Sequence, residues 1–288
     1  MPPLTPFEIY IKIIDLIRSS IATNAGEVNI VKNSVEQIEK VKQSFGPNVN
    51  IRTGFCHKNP YAFFKKPHKL FNKEKTELGD FLFVIKYLDN GDIIDNRALF
   101  FQAKYSNDSN DFKIELHQFH FYIQIENIKF NFGKTTYKKS AMKPIIWEKI
   151  SKPKEFGDYI LLGPRNVLDL YTSEIAFQYN HFKEGHFQYN LNQMHHGCIY
   201  FNSNHFLRCN YLSPLFNFIL PFGRGNKIEG NFKIFIDLIY KKLGMIPDPP
   251  DENESFWEEN EQNHINGFGL IEITIDNRKE SDVMKAKS

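Results

Sequence analysis

Asp80 closes the segment Thr76-Glu77-Leu78-Gly79-Asp80 and opens an apolar run, Phe81-Leu82-Phe83-Val84-Ile85. A second apolar run, Ala98-Leu99-Phe100-Phe101, leads into Gln102-Ala103-Lys104, with Gln102 placed 22 residues after Asp80. Side chains alternate faces along a strand, so Gln102 and Lys104 point one way and Ala103 the other. An acid opening one strand, with an amide and an amine on one face of the next, is a set that holds a divalent cation and a phosphate. Mg²⁺ takes oxygen ligands in an octahedron and keeps several waters, so one carboxylate, one amide oxygen, a backbone carbonyl and the phosphate itself suffice. Lys104 then orients or deprotonates an attacking water, or neutralises charge building on the phosphorane.

These residues need a hairpin and a covering helix to bring them together. Tyr87-Leu88-Asp89-Asn90-Gly91-Asp92 carries a strong turn signal, so the two apolar runs are expected to pair antiparallel. The stretch from Leu88 to Arg97 implies a hairpin longer than a two-residue turn. A helix is expected over Asn33 to Phe45, where Val35, Ile38, Val41 and Phe45 form one stripe, Ser34 stands as the cap, and Glu36 and Glu39 lie beside the stripe. Pro6 to Ser20 reads as an amphipathic helix, separated from the second by a turn at Asn24-Ala25-Gly26. Val49 to Phe55, Tyr61 to Phe64, Tyr159 to Pro164 and Gly269 to Ile275 read as strands. Asn231 to Leu243 reads as a helix stopped at Gly244, with Lys241 and Lys242 suited to its C-terminal dipole. His117 to Ile128 fits either a helix or a strand, and its Gln118 and His120 join the site or simply pack.

At Asp80, Gln102 and Lys104 the chain resembles the PD-(D/E)xK nuclease superfamily, the restriction-endonuclease-like fold, over roughly residues 33 to 130. The variant it is most similar to carries Gln in place of the second acid, as in Mrr-type restriction endonucleases. The resemblance implies an α/β fold: a restriction-endonuclease-like core with a central mixed β-sheet flanked by helices, elaborated here by a C-terminal α+β region. It implies a Mg²⁺- or Mn²⁺-dependent endonuclease, with metal binding by Asp80, metal or water orientation by Gln102 and the catalytic amine at Lys104. DNA is favoured over RNA, and the implied role is prokaryotic restriction or antiviral defence, as a homodimer or beside a partner subunit. Gly79 stands where the pattern has proline. Gln102 is neutral, so the site either binds metal weakly or takes another acid. Glu77 is one candidate, if the Leu78-Gly79 backbone bends. The superfamily often draws an extra Glu from the helix before the sheet, and there the candidate is Glu36.

Length, charge and cysteines set the frame. The 288 residues exceed a minimal core of this kind, and the expected division is 1–165 for the N-terminal helices and nuclease core, 166–276 for an accessory region packed on it, and 277–288 for a disordered tail. There is no apolar run of eighteen residues and no signal-peptide profile, so a soluble cytoplasmic protein without a membrane partner is expected. Three cysteines make no disulfide framework, which suits a reducing compartment. The segment 248–262 carries Asp248, Asp251, Glu252, Glu254, Glu258, Glu259 and Glu261 with no Lys or Arg, so the chain's net +2 leaves +9 on the remainder. That balance attracts a polyanion. Lys65, Lys66 and Lys69, just before Asp80, are the candidate phosphate contacts. His195, Cys198, His205 and Cys209 hold Zn²⁺ or are buried thiols and surface imidazoles. Two readings compete with the nuclease: an inactive nucleic-acid-binding module that keeps the fold, and an assembly protein whose aromatic second half forms an interface.

Overall fold

The computed structural model describes residues 2–21, 26–57, 60–64, 75–107, 111–124, 130–132, 145–146, 155–163, 167–172, 198–202, 213–245 and 267–276. The helices are α1 (Pro6–Ile21), α2 (Glu27–Val41), α3 (Leu116–Gln124), α4 (Pro214–Ile219) and α5 (Gly230–Lys242). The first strands are β1 (Val49–Cys56), β2 (Tyr61–Phe64), β3 (Lys75–Glu77), β4 (Phe81–Asp89), β5 (Asp92–Tyr105) and β6 (Asp111–Glu115). They continue with β7 (Phe130–Phe132), β8 (Ile145–Ile146), β9 (Gly157–Leu162), β10 (Val167–Leu170), β11 (Cys198–Asn202), β12 (Asn226–Lys227) and β13 (Phe268–Asp276).

Seven strands form the central mixed sheet, in the order β1-β13-β4-β5-β9-β10 with β12 alongside β5. β13 runs parallel to β4, and β5 runs parallel to β9, while β4 and β5 are antiparallel. The strands are apolar on consecutive residues because helices cover both faces. On one face Phe81, Phe83, Leu99, Phe101, Ala103 and Ile271 meet Ile13 and Ile17 of α1, Val31, Val35 and Ile38 of α2 and Phe218 of α4. On the other Leu82, Val84, Ala98, Phe100, Leu161 and Leu270 meet Phe119 and Tyr122 of α3 and Phe235, Ile236 and Ile239 of α5. Strands from both sides of residue 165 share this sheet: β13, the last described element, lies between β1 and β4.

Local signals explain the helix ends. At the start of α1, Thr5 and Glu8 form a reciprocal capping box, the Thr5 hydroxyl accepting from Glu8 N–H and the Glu8 carboxylate from Thr5 N–H. α5 stops in a Schellman turn, where Gly244 has φ +67° and Met245 N–H reaches Tyr240 O at 2.8 Å.

Two expectations need correction, and one open alternative is decided. α2 begins at Glu27, six residues before Asn33, and Ser34 is no cap: it is buried in the helix interior, its hydroxyl donating to Ile30 O at 2.7 Å. The β4–β5 hairpin turns on two residues, Asn90 and Gly91, both with positive φ as a type I′ turn requires, and the extra length is a bulge where the pairing slips between Tyr87 and Leu88. The ambiguous segment after Glu115 is helical over Leu116–Gln124.

Two small sheets flank the core: β3-β2-β7-β8 and β11-β6. They deliver Glu77 and Glu115 at the ends of β3 and β6. Among the described residues, no helix is long and apolar enough to cross a membrane.

Candidate active site

Asp80 stands at the corner between β3 and β4. The corner is crowded, since a Cβ on Gly79, whose φ is +153°, would stand 3.0 Å from Phe101 O and 3.3 Å from Phe100 Cβ and Tyr122 Oη. Only glycine, without a Cβ, fits this corner unstrained. Backbone bonds fix the corner on three sides: Leu78 O accepts the Tyr122 hydroxyl at 2.6 Å, Asp80 N–H donates to Phe101 O at 2.9 Å, and Asp80 O accepts Gly269 N–H at 2.9 Å. Asp80 is thereby tied to β5 and β13 through its main chain.

The side chains converge across the hairpin. Asp80 is 5% exposed and Gln102 is fully buried. Asp80 Oδ2 accepts the Ala103 N–H at 2.8 Å and the Gln102 Nε2 donor. With the amide nitrogen turned to the carboxylate, Gln102 Oε1 has no hydrogen-bond partner among the described residues. Lys104, 8% exposed, follows on the same face and brings Nζ to 3.9 Å from Glu27 Oε1.

Glu27 is the acid that inspection of the sequence missed. It is the first residue of α2, whose N-terminus overhangs the end of β5, and its carboxylate also accepts from the Tyr105 N–H. Glu36, the helix acid expected, instead lies near Lys32 at 3.9 Å with its side chain 47% exposed. The helix start at Glu27 was legible, though its approach to Lys104 was not: Gly26 is a helix-start neighbour, and Ile30, Val31, Val35 and Ile38 extend the buried stripe back toward it. Glu77 lies close by, accepting the Tyr61 hydroxyl at 3.1 Å and Gln118 Nε2 at 3.3 Å. Gln118 is buried, and its Oε1 has no partner among the described residues. Glu115, also unforeseen, is within electrostatic reach of Lys104.

The electrostatics follow from burial. Desolvation raises the Asp80 carboxyl well above the usual carboxylate range, Glu27 and Glu77 adding to the rise and Lys104 and the Ala103 amide opposing it. Burial raises Glu27 in the same way against the pull of Lys104. Burial alone would lower the Lys104 ammonium, but Glu27, Asp80, Glu115 and Glu77 together hold it above the ordinary lysine value. Four carboxyl groups thus lie within electrostatic reach of one ammonium.

Desolvated carboxylates beside a buried amide oxygen with no partner among the described residues are donors of the kind Mg²⁺ or Mn²⁺ takes. Among the described residues, no three carboxylate, imidazole or thiolate groups form a ready-made cage. Mg²⁺ typically binds through one or two carboxylates and keeps several waters. Lys65, Lys66, Lys69, His195, His205 and Cys209 lie outside the described residues, as do the acidic stretch 248–262 and the tail 277–288. Cys198 opens β11. No protein-family model, no curated protein and no solved structure matches this chain.

Proposed function

We propose that this chain is a metal-dependent nuclease that hydrolyses phosphodiester bonds, with DNA as the favoured substrate and Mg²⁺ or Mn²⁺ as cofactor. The observation that carries the reading is the pairing of Asp80 with Gln102 at the start of β4 and the end of β5, with Lys104 two residues on and enclosed by carboxylates. Asp80 and Gln102 would hold the cation, with Glu27 as the further acid. When bound, the cation supplies Lewis acidity toward the phosphoryl oxygen. Lys104 stays cationic, which favours donation to a phosphoryl oxygen and charge neutralisation over deprotonation of water. Glu27 orients that ammonium, and the packed sheet excludes bulk water from its inner side. A role in prokaryotic restriction or defence, in the cytoplasm, follows from the resemblance of these residues to the superfamily.

The test is incubation of purified protein with supercoiled plasmid, linear duplex, single-stranded DNA and RNA, with Mg²⁺, Mn²⁺ or EDTA. Metal-dependent cleavage, reduced about 100-fold or more in Asp80→Ala and in Lys104→Ala, is the expected result. Cleavage that survives both substitutions overturns the assignment. Nucleic-acid binding with no metal-dependent cleavage points instead to an inactive binding module.

A further inference from the structure

Tyr159 is the cross-strand neighbour of Gln102 in the parallel β5–β9 pair. Registered neighbours share a face, so Tyr159 and Gln102 project from the same side of the sheet. Tyr159 is fully buried, and its hydroxyl has no hydrogen-bond partner among the described residues. Its ring neighbour Tyr122, at 5.7 Å between centroids, has committed its own hydroxyl proton to Leu78 O. Two buried oxygens without a partner among the described residues, Tyr159 Oη and Gln102 Oε1, therefore belong to registered neighbours on adjacent strands, and Gln102 is itself bonded to Asp80. An unsatisfied buried polar group is costly, and two as neighbours call for a shared explanation.

We propose that Tyr159 is a positioning residue of the same site: its hydroxyl donates to a water that in turn donates to Gln102 Oε1, fixing that water beside Asp80. The inference rests on the nuclease reading and adds a residue to it. Phenol suits the task because it stays neutral there. Burial raises its pKa well above the ordinary tyrosine value, with Asp158, Glu115 and Asp80 adding to the rise, so Tyr159 brings a proton and no further negative charge. Phenylalanine would keep the ring contacts with Tyr122 and lose only the donor.

Tyr159→Phe separates this role from simple packing. If the hydroxyl has no partner within the protein, the metal-free variant keeps the wild-type Tm or exceeds it. Mn²⁺ affinity by titration calorimetry and the cleavage rate at saturating Mn²⁺ both fall, by about 10- to 100-fold as for other groups that orient ligands around a metal. A lower Tm for the metal-free variant overturns the inference, because the hydroxyl would then serve the fold. Wild-type Mn²⁺ affinity and cleavage in Tyr159→Phe, in a protein whose activity depends on Asp80, overturns this inference alone. A wild-type protein that neither binds Mn²⁺ nor cleaves overturns both this inference and the nuclease reading.

Discussion

Gly157→Ala should damage the protein through one specific contact. Gly157 opens β9 and pairs with Phe100 of β5. A Cβ there would stand 2.5 Å from Tyr122 Cζ, 2.6 Å from Cε1 and 2.8 Å from Cε2. Carbon atoms pack at about 3.5–4.0 Å, so the ring must retreat by about 1 Å. It has little room to do so: Phe121, Phe156 and Tyr159 surround it with ring centroids at 6.0, 6.1 and 5.7 Å. Overpacking of this kind costs about 1–3 kcal/mol. Retreat also breaks the buried bond from Tyr122 to Leu78 O, with an unpaired-group cost of about 1–3 kcal/mol. The two overlap, so we expect about 2–4 kcal/mol in urea denaturation and a fall of about 4–10 °C in Tm. Leu78 is two residues before Asp80, so metal-dependent cleavage should fall with stability. Tyr122→Leu added to Gly157→Ala should recover part of the loss, giving a coupling energy in the double-mutant cycle. A Gly157→Ala protein within about 0.5 kcal/mol of wild type would refute the argument, as would purely additive effects.

Two further outcomes test the electrostatics. Glu27→Gln should weaken Mn²⁺ binding and cleavage by about 10-fold or more, whereas Glu36→Gln should leave both unchanged, as measured by calorimetry and plasmid cleavage side by side. Asp80→Asn tests the sign of the burial effect in EDTA. The folded carboxyl holds its proton more tightly than the unfolded one, so ionisation costs stability as pH rises above the ordinary carboxylate value. The variant should therefore melt higher than wild type at neutral and alkaline pH, with the gain gone at about pH 4 and below. An equal gain at every pH would show that desolvated charge is not the cause. In the wild type the same proton competes with the cation, so Mn²⁺ affinity should fall as pH falls.

Much of the arrangement was legible because it is local. Asp80, Gln102 and Lys104 could be placed together from two apolar runs, a turn between them and the two-residue period of a strand, and the antiparallel pairing Phe81 with Phe101 realises that placement. The helix α5 and its stop at Gly244 followed from an apolar stripe and one left-handed glycine. The hairpin length was misjudged because a bulge conceals a two-residue turn: one unpaired residue shifts the register without leaving a compositional mark. The helix acid was misjudged because the stripe was anchored on Val41 and Phe45, which pulled the expected start to Asn33 and hid Glu27.

What the chain alone determines is which residues can occupy one face of one hairpin, since alternation and turn chemistry act over a few bonds. Tertiary structure decides what gathers around that hairpin. β13 enters between β1 and β4 from nearly two hundred residues beyond Asp80, and Gly269 N–H then holds Asp80 O. β9 sets Tyr159 beside Gln102, and the N-terminus of α2 brings Glu27 to Lys104. These contacts depend on how apolar faces are shared among distant segments, a global packing choice that no local pattern encodes. Burial then does the rest: only once the two helical layers close over the sheet do Asp80 and Glu27 lose their water and hold their protons more tightly than ordinary carboxyls.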